Sequence, residues 1–238
     1  MNIARSARLL LLPAVIFLYA AGCDKKKDDS SPVLFGGDTT IAIPAIPHFV
    51  GTEYIELDKI ARISKFRSSI GHDYHDDFEQ CRSMKHYFEP KSSVDWASIK
   101  IVSPVNGTVS RMFEEWAGTQ VQIQSKKYPT IFFIIFHIHL AAPLQVGDTL
   151  TAGQLLGSHI GNQTMSDMAV GMSTEKGWQL ISYFDVLSDS LFPQYQLRGV
   201  SKRGDMIITK EMRNADTLKC SSETFLGSGT IENWVVLK

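Results

Sequence analysis

Two regions of the chain bring histidines close enough in sequence to act together on a metal ion or a proton. The segment His72-Asp73-Tyr74-His75-Asp76 holds imidazoles and carboxylates within five residues, and His137 and His139 lie two apart in an apolar run. Alternate side chains of a strand point to one face, so His137 and His139 are expected side by side. Such a pair is typical of a metal site. It is equally typical of histidines that form hydrogen bonds in a polar groove.

The start of the chain has the composition of an export signal. Basic residues precede an apolar run from Leu9 to Tyr19, and Ala20-Ala21-Gly22 come directly before Cys23. This order is typical of a secretory signal peptide, and the run is too short for a permanent membrane-spanning helix. The small residues before Cys23 resemble the lipobox of bacterial lipoproteins, although Ala20 stands where that pattern usually has leucine. We expect cleavage after residue 22.

The cleavage at Cys23 has consequences for location and organisation. A lipid on Cys23 would anchor the exported chain to a membrane, in the periplasm or at the cell surface; an ordinary secretory signal is the alternative. Residues 23–45 begin with a charged and polar stretch that has little to bury, which predicts a flexible tether. Residues 46–238 are long enough for one well-cored domain.

The net charge of −1, without a basic patch among aromatic residues, argues against nucleic-acid binding.

The two remaining cysteines are Cys81 and Cys220. An even number of cysteines outside the cytoplasm is typical of disulfide bonding, so we predict a Cys81–Cys220 bond. Two buried free thiols are the alternative.

Strand patterns dominate the chain from Trp96 onward. Turn residues separate short apolar runs at regular intervals, which predicts a mostly β, antiparallel sandwich or barrel with one or two short helices. The strands are expected at residues 99–102, 107–111, 119–124, 131–140, 168–172 and 179–186. The helices are expected at residues 77–87 and 210–215, and the apolar end of the chain is expected to add a strand.

Several of these stretches match a known family. They are Ser103–Val109, Gly118–Ile123, His139-Leu140 and Val146–Gly157. Together they resemble the β core of the lysostaphin-type zinc endopeptidases, which cut peptide cross-bridges in peptidoglycan. The resemblance implies a fold of the duplicated hybrid motif type, with its core at about residues 99–187, and cell-wall peptides as ligands. Biotinyl and lipoyl carrier domains share such turns, but the lysine that they modify is missing here.

The resemblance also implies roles for the histidines. Family members hold zinc with a His-x-x-x-Asp pair, which places His72 and Asp76 among the metal ligands. His139 falls at the family's His-Leu strand end, where a catalytic histidine stabilises the transition state. His137 is a further candidate metal ligand, because a rearranged site would have to recruit it.

The chain departs from the family at the last ligand. The family has a second His-x-His before Phe-Glu, whereas this chain has Ile181 and Tyr183 before Phe184-Asp185. Isoleucine cannot bind zinc and tyrosine rarely does. Two hypotheses follow. We favour a degenerate domain that binds peptidoglycan or a protein partner without cleaving it. The alternative is a zinc endopeptidase with rearranged ligands. A serine hydrolase is disfavoured because no Gly-x-Ser-x-Gly motif is present.

Overall fold

The computed structural model describes residues 46–238, all of which belong to one compact unit. The predictions of a signal peptide at residues 1–22 and a tether at 23–45 lie outside this range. The described part is mostly β, and every pair of its strands is antiparallel, as expected from the sequence. No helix among the described residues is long and apolar enough to cross a membrane.

Thirteen strands and three short α-helices make up this part of the chain. The strands are β1 (Ile60–Ser64), β2 (His86–Pro90), β3 (Lys100–Val102), β4 (Gly107–Glu115), β5 (Gly118–Ser125), β6 (Ile131–Leu140), β7 (Thr149–Leu150), β8 (Leu155–His159), β9 (Ser166–Thr174), β10 (Gly177–Ile181), β11 (Cys220–Ser221), β12 (Thr224–Phe225) and β13 (Trp234–Val236). The helices are α1 (Tyr183–Val186), α2 (Phe192–Leu197) and α3 (Lys210–Ala215).

Eleven strands form one sheet with β9 at its centre. The main path runs β13-β1-β2-β9-β6-β5-β4-β7; β10 pairs with β9, and β8 pairs with both β6 and β3. Residues 166–168 of β9 pair with β2, residues 168–172 pair with β6, and residues 170–174 pair with β10. The side chains of β9 are therefore the ones that meet those of several neighbouring strands.

The strand β6 separates two apolar clusters. Its residues Ile131, Phe133 and Ile135 lie in the larger core, while Ile134 and Phe136 lie in a smaller cluster with Phe66, Met84, Ala169 and Leu180. This alternation is what a pleated strand buried on both faces requires.

The alternation changes at His137. Thr119 and Val121 of β5 pair with Ile138 and Ile135, so β6 holds one extra residue across this step. His137 has a φ of +61°, an uncommon backbone conformation for a residue other than glycine. The bulge returns Ile138 to the larger core.

Two sequence-based predictions of secondary structure are wrong. Residues 77–87 were expected to form a helix, but they form turns that lead into β2. The carboxylate of Asp73 accepts backbone N–H bonds from Arg82 and Cys81, at 2.9 and 3.2 Å, and such local bonds compete with helix formation. The expected strand at 179–186 ends at Ile181, because the Ser182 hydroxyl caps α1 by accepting from the Phe184 N–H at 3.1 Å.

Other predictions are confirmed. The predicted helix at 210–215 is α3, capped by Thr209, whose hydroxyl accepts from the Met212 N–H at 3.2 Å. The end of the chain adds β13 to β1. Cys81 and Cys220 form a disulfide that spans 139 residues of sequence, with their Cα atoms 5.7 Å apart.

Candidate functional site

A buried lysine lies at the centre of a cluster of charged and polar side chains in the described part of the chain. Lys85 directly precedes β2, and Asp167 is the second residue of β9; the pairing of these strands sets Tyr87 opposite Asp167. The side chains of Lys85 and Asp167 are 1% and 0% exposed, and the Lys85 ammonium contacts the Asp167 carboxylate. The attraction to Asp167 outweighs the effect of burial, which alone would lower the pKa of Lys85, and the pKa is raised. Lys85 therefore carries its charge.

His72 is the third member of this cluster. Its Nε2 atom lies 3.2 Å from the Lys85 Nζ atom, and its Nδ1 atom lies 3.0 Å from the Asp73 carbonyl oxygen. An ammonium group only donates hydrogen bonds, so Nε2 accepts from Lys85 and Nδ1 donates to the carbonyl. In this arrangement the Nε2 lone pair of His72 is used by the lysine.

Aromatic rings surround the ammonium group. The Nζ atom lies 4.0 Å from the centroid of Phe136, 4.8 Å from that of Tyr74 and 5.1 Å from that of Tyr87. The faces of these rings attract a cation and replace part of the hydration that Lys85 loses. Burial raises the pKa of Tyr74 to about 12, so this phenol is neutral. The cluster holds its cation with one carboxylate, one imidazole and three rings.

His137 lies on the other side of Asp167. Its Nε2 atom is 3.3 Å from Asp167 Oδ1, and its Nδ1 atom is 3.0 Å from the Ala117 carbonyl oxygen and 3.4 Å from Glu115 Oε2. Burial raises the pKa of Glu115, with the nearby Asp167 charge acting in the same direction. Because of the bulge in β6, His137 reaches a carboxylate that already pairs with Lys85.

Of the four residues predicted for a metal or catalytic site, two lie at the Lys85–Asp167 pair and two lie elsewhere. His72 and His137 both border the Lys85–Asp167 pair. Asp76 is 6% exposed. Its carboxylate accepts hydrogen bonds from the backbone N–H groups of Phe78 and Leu180, each at 2.9 Å. His139 is exposed, and its ring makes no hydrogen bond with residues 46–238.

These residues do not fit a zinc ion. Within residues 46–238 no group of three or more His, Cys, Asp or Glu side chains is arranged to hold a metal. The His72 Nε2 lone pair and one oxygen of Asp167 face the Lys85 ammonium, the other Asp167 oxygen faces His137, and both oxygens of Asp76 accept from backbone donors. Zinc requires such lone pairs together with an open position for water.

Ile181 and Tyr183 are both part of the core. In the resemblance described above, they stand at the positions of the second His-x-His of the lysostaphin-type endopeptidases. The Tyr183 hydroxyl donates to Glu53 Oε1 at 3.2 Å, and the Tyr195 hydroxyl donates to the other carboxylate oxygen. Burial raises the pKa of Glu53 to about 7, and the two tyrosine bonds offset only part of that effect. This second polar group ties α1 and α2 to the segment before β1.

Lys85 and Asp167 are not among the site residues that the sequence predicts. Lys85 falls in the predicted helix at 77–87, and Asp167 falls just outside the predicted strand at 168–172. Asp167 directly precedes the apolar strand segment Met168-Ala169-Val170, and Lys85 precedes the segment Tyr87-Phe88 with only His86 between them. Two opposite charges in such places are a signal for a buried ion pair, since an unpaired charge is rarely buried.

Comparisons with known proteins give partial likenesses only. No protein-family model matches the chain, and no curated protein matches it. Among solved structures, a candidate glycyl-glycine endopeptidase LytM from Ruminococcus gnavus ATCC 29149 is 17% identical with a TM-score of 0.34, covering 42% of this chain. This chain spans only 43% of that protein's length.

Two other solved structures show similar likenesses. A chain of the SpoIIQ–SpoIIIAH pore-forming complex is 9% identical with a TM-score of 0.41, covering 63% of this chain and 96% of that one. Lysostaphin is 12% identical with a TM-score of 0.31, covering 49% of this chain and 52% of that one. With identities this low and TM-scores below 0.5, these likenesses do not assign the chain to a family.

Proposed function

We propose that the chain is an exported lipoprotein, cut before Cys23 and anchored by lipid, whose β domain binds peptidoglycan or a protein partner without cleaving it. In this proposal the domain is a degenerate relative of the lysostaphin-type endopeptidases. The motifs at Ser103–Val109 and Val146–Gly157 support that relationship, and the described fold is mostly β as such a relationship requires.

The observation that carries the non-catalytic part of the proposal is the position of the Lys85 ammonium. It lies where His72 and Asp167 converge, and it contacts the His72 Nε2 atom and one oxygen of the Asp167 carboxylate, which are groups that a metal would need. A divalent cation placed beside an ammonium group in a poorly solvated cluster would be strongly repelled. The chain thus supplies a fixed positive charge of its own, which cannot bind and activate water as zinc does.

The disulfide supports the extracytoplasmic part of the proposal. Disulfides persist in oxidising compartments and are rare in the cytosol of most organisms. Cys81 lies in the turn region that also carries His72, and Cys220 lies in β11 near the end of the chain. A protein exported through its first 22 residues would form this bond after export.

The alternative function is a zinc endopeptidase that uses His72, Asp76, His137 and His139 in a rearranged site. It would require Lys85 to leave its pocket, Asp76 to release two backbone N–H groups, and the exposed His139 to turn inward. The first two of these changes break contacts of buried groups, which costs free energy.

Cosedimentation with cell-wall sacculi tests both parts of the proposed function. The full chain, purified from membranes in mild detergent, is incubated with sacculi and zinc, and the pellet and the released muropeptides are analysed by chromatography. We expect protein in the pellet and an unchanged muropeptide profile. New cleavage products that disappear with His72→Ala would establish the endopeptidase instead.

A negative pelleting result also has a defined meaning. Protein that stays in the supernatant, with an unchanged muropeptide profile, would remove peptidoglycan as the ligand. The protein-partner form would then be examined by crosslinking the chain in intact cells, and finding no crosslinked protein would remove that form as well.

A further inference from the structure

A groove of about 430 Å³ lies between the segment before β3 and the loop that joins β8 to β9. Its walls combine one indole with small and polar residues. The residues used below are Ser92, Asp95, Trp96, Gly161 and Asn162. A concave surface with one aromatic face and a few polar groups is typical of a small-molecule site.

The indole of Trp96 is held in a fixed orientation. Its ring packs edge-to-face on His159, with ring centroids 5.9 Å apart and an interplanar angle of 75°. His159 is fully buried, and burial lowers its pKa to about 4, so the supporting ring is neutral at pH 7. Trp96 also begins a 3-10 turn capped by Asp95, whose Oδ1 accepts from the Ala97 N–H at 3.1 Å. The platform is therefore formed before any ligand arrives.

Polar groups around the indole have unused hydrogen-bonding capacity. Within residues 46–238, no hydrogen bond uses the Ser92 hydroxyl, the Asn162 amide or the second carboxylate oxygen of Asp95. Gly161 has a φ of +111°, and a Cβ built on it would meet no atom within 4 Å. A ligand can approach the backbone closely at that point.

We propose that this groove binds an uncharged sugar ring of a glycan strand. A pyranose presents C–H groups on one face, which pack on an indole, and hydroxyl groups around its edge, which pair with carboxylate, amide and hydroxyl side chains. Trp96 supplies the flat apolar surface, and Asp95, Asn162 and Ser92 supply the polar rim. The inference rests on the proposed function and deepens it, because it assigns the glycan rather than the peptide of peptidoglycan to this groove.

Titration of the full chain with the N-acetylglucosamine trisaccharide tests the groove directly. Binding is followed by calorimetry in wild type, Trp96→Ala and Asn162→Ala, with Trp116→Ala as the control because Trp116 is an indole that is 77% exposed. We expect millimolar or tighter binding, weakened at least about tenfold by Trp96→Ala and less by Asn162→Ala, with no change in the control. Thermal melting verifies that each variant is folded.

The outcomes separate this inference from the proposed function. Equal affinity in wild type and Trp96→Ala, or no binding of the trisaccharide, would overturn the groove assignment. If the chain still pelleted with sacculi in that case, the proposed function would stand and the peptide would be its ligand. Trisaccharide binding that depends on Trp96 without any pelleting would support the groove and contradict peptidoglycan binding.

Discussion

Lys85 and Asp167 form an ion pair in which the two side chains are 1% and 0% exposed. The pair joins the segment before β2 to β9, so it fixes how two central strands meet. A buried pair of this kind contributes little compared with an apolar pair of the same size, but removal of one partner leaves a bare charge in the interior. When one of these two residues is present, the stability of the fold therefore depends on the other.

The first prediction concerns this pair. We expect Lys85→Met to lower the free energy of unfolding by about 3–5 kcal/mol, because Asp167 then lacks its cation. Urea denaturation measures the effect, with Lys176→Met as the control at an exposed lysine. The double variant Lys85→Met/Asp167→Asn should recover a substantial part of the loss. A loss in Lys85→Met no larger than in the control would contradict this account of the pair.

The second prediction concerns the buried imidazole of His86. Its Nδ1 atom lies 2.8 Å from the Ser64 carbonyl oxygen and its Nε2 atom 2.8 Å from the Ser182 hydroxyl, so Nδ1 donates and Nε2 accepts. Burial lowers the pKa of His86 from 6.5 to about 4. We expect its ring nitrogens to keep the shifts of the neutral Nδ1–H form until about pH 4 in an NMR titration. Titration near pH 6.5 would show that the ring is solvated.

The sign of the stability effect follows from that shift. Between about pH 6.5 and pH 4 the unfolded chain binds a proton that folded His86 does not, so this contribution is complete above pH 6.5 and is lost on acidification. Glu53 acts in the opposite direction, since its raised pKa of about 7 makes the folded state less stable as the pH rises from about 4.5 to 7. Residue-resolved titration separates the two effects.

The third prediction concerns the disulfide. A bond that closes a loop of 139 residues should stabilise the fold by about 4–5 kcal/mol in the chain-entropy model. We expect the Cys81→Ser/Cys220→Ser variant to unfold at a clearly lower urea concentration than the oxidised wild type. Reduced wild type is the control, and it should behave like the double variant. An unchanged midpoint would mean that the bond adds no stability.

The fourth prediction concerns Cys23. In the expressing cells the full chain should be found in the membrane fraction and incorporate labelled palmitate, whereas Cys23→Ser should do neither. Ser30→Ala, a change in the same polar segment, is the matched control and should behave like wild type. Membrane association and labelling that survive in Cys23→Ser would contradict the lipid anchor.

The sequence predicts the parts of this structure that depend on local pattern. A strongly apolar run predicts the strand β6, a local helical pattern predicts the helix α3, and the even number of cysteines, together with the expectation of export, predicts the Cys81–Cys220 bond. These features follow from short stretches of chain or from composition, so no knowledge of the tertiary arrangement is needed.

The candidate site was harder to predict because its contacts join distant parts of the chain. Lys85 meets Asp167 only because β2 pairs with β9, and no local pattern indicates that pairing. The bulge at His137 likewise depends on the register between β5 and β6. The turns at 77–85 replace the expected helix because the carboxylates of Asp73 and Asp76 accept hydrogen bonds from backbone N–H groups. The sequence pattern does not indicate which backbone groups these carboxylates bind.

The central claim is that Lys85 supplies the positive charge of the cluster and that no metal is bound there. The most direct test is the zinc content of the purified full chain after incubation with excess zinc and gel filtration, measured by mass spectrometry for wild type and His72→Ala. We predict no stoichiometric zinc in wild type and the same small amount in the variant. One equivalent of zinc per chain that is lost in His72→Ala would contradict the claim and favour the zinc endopeptidase.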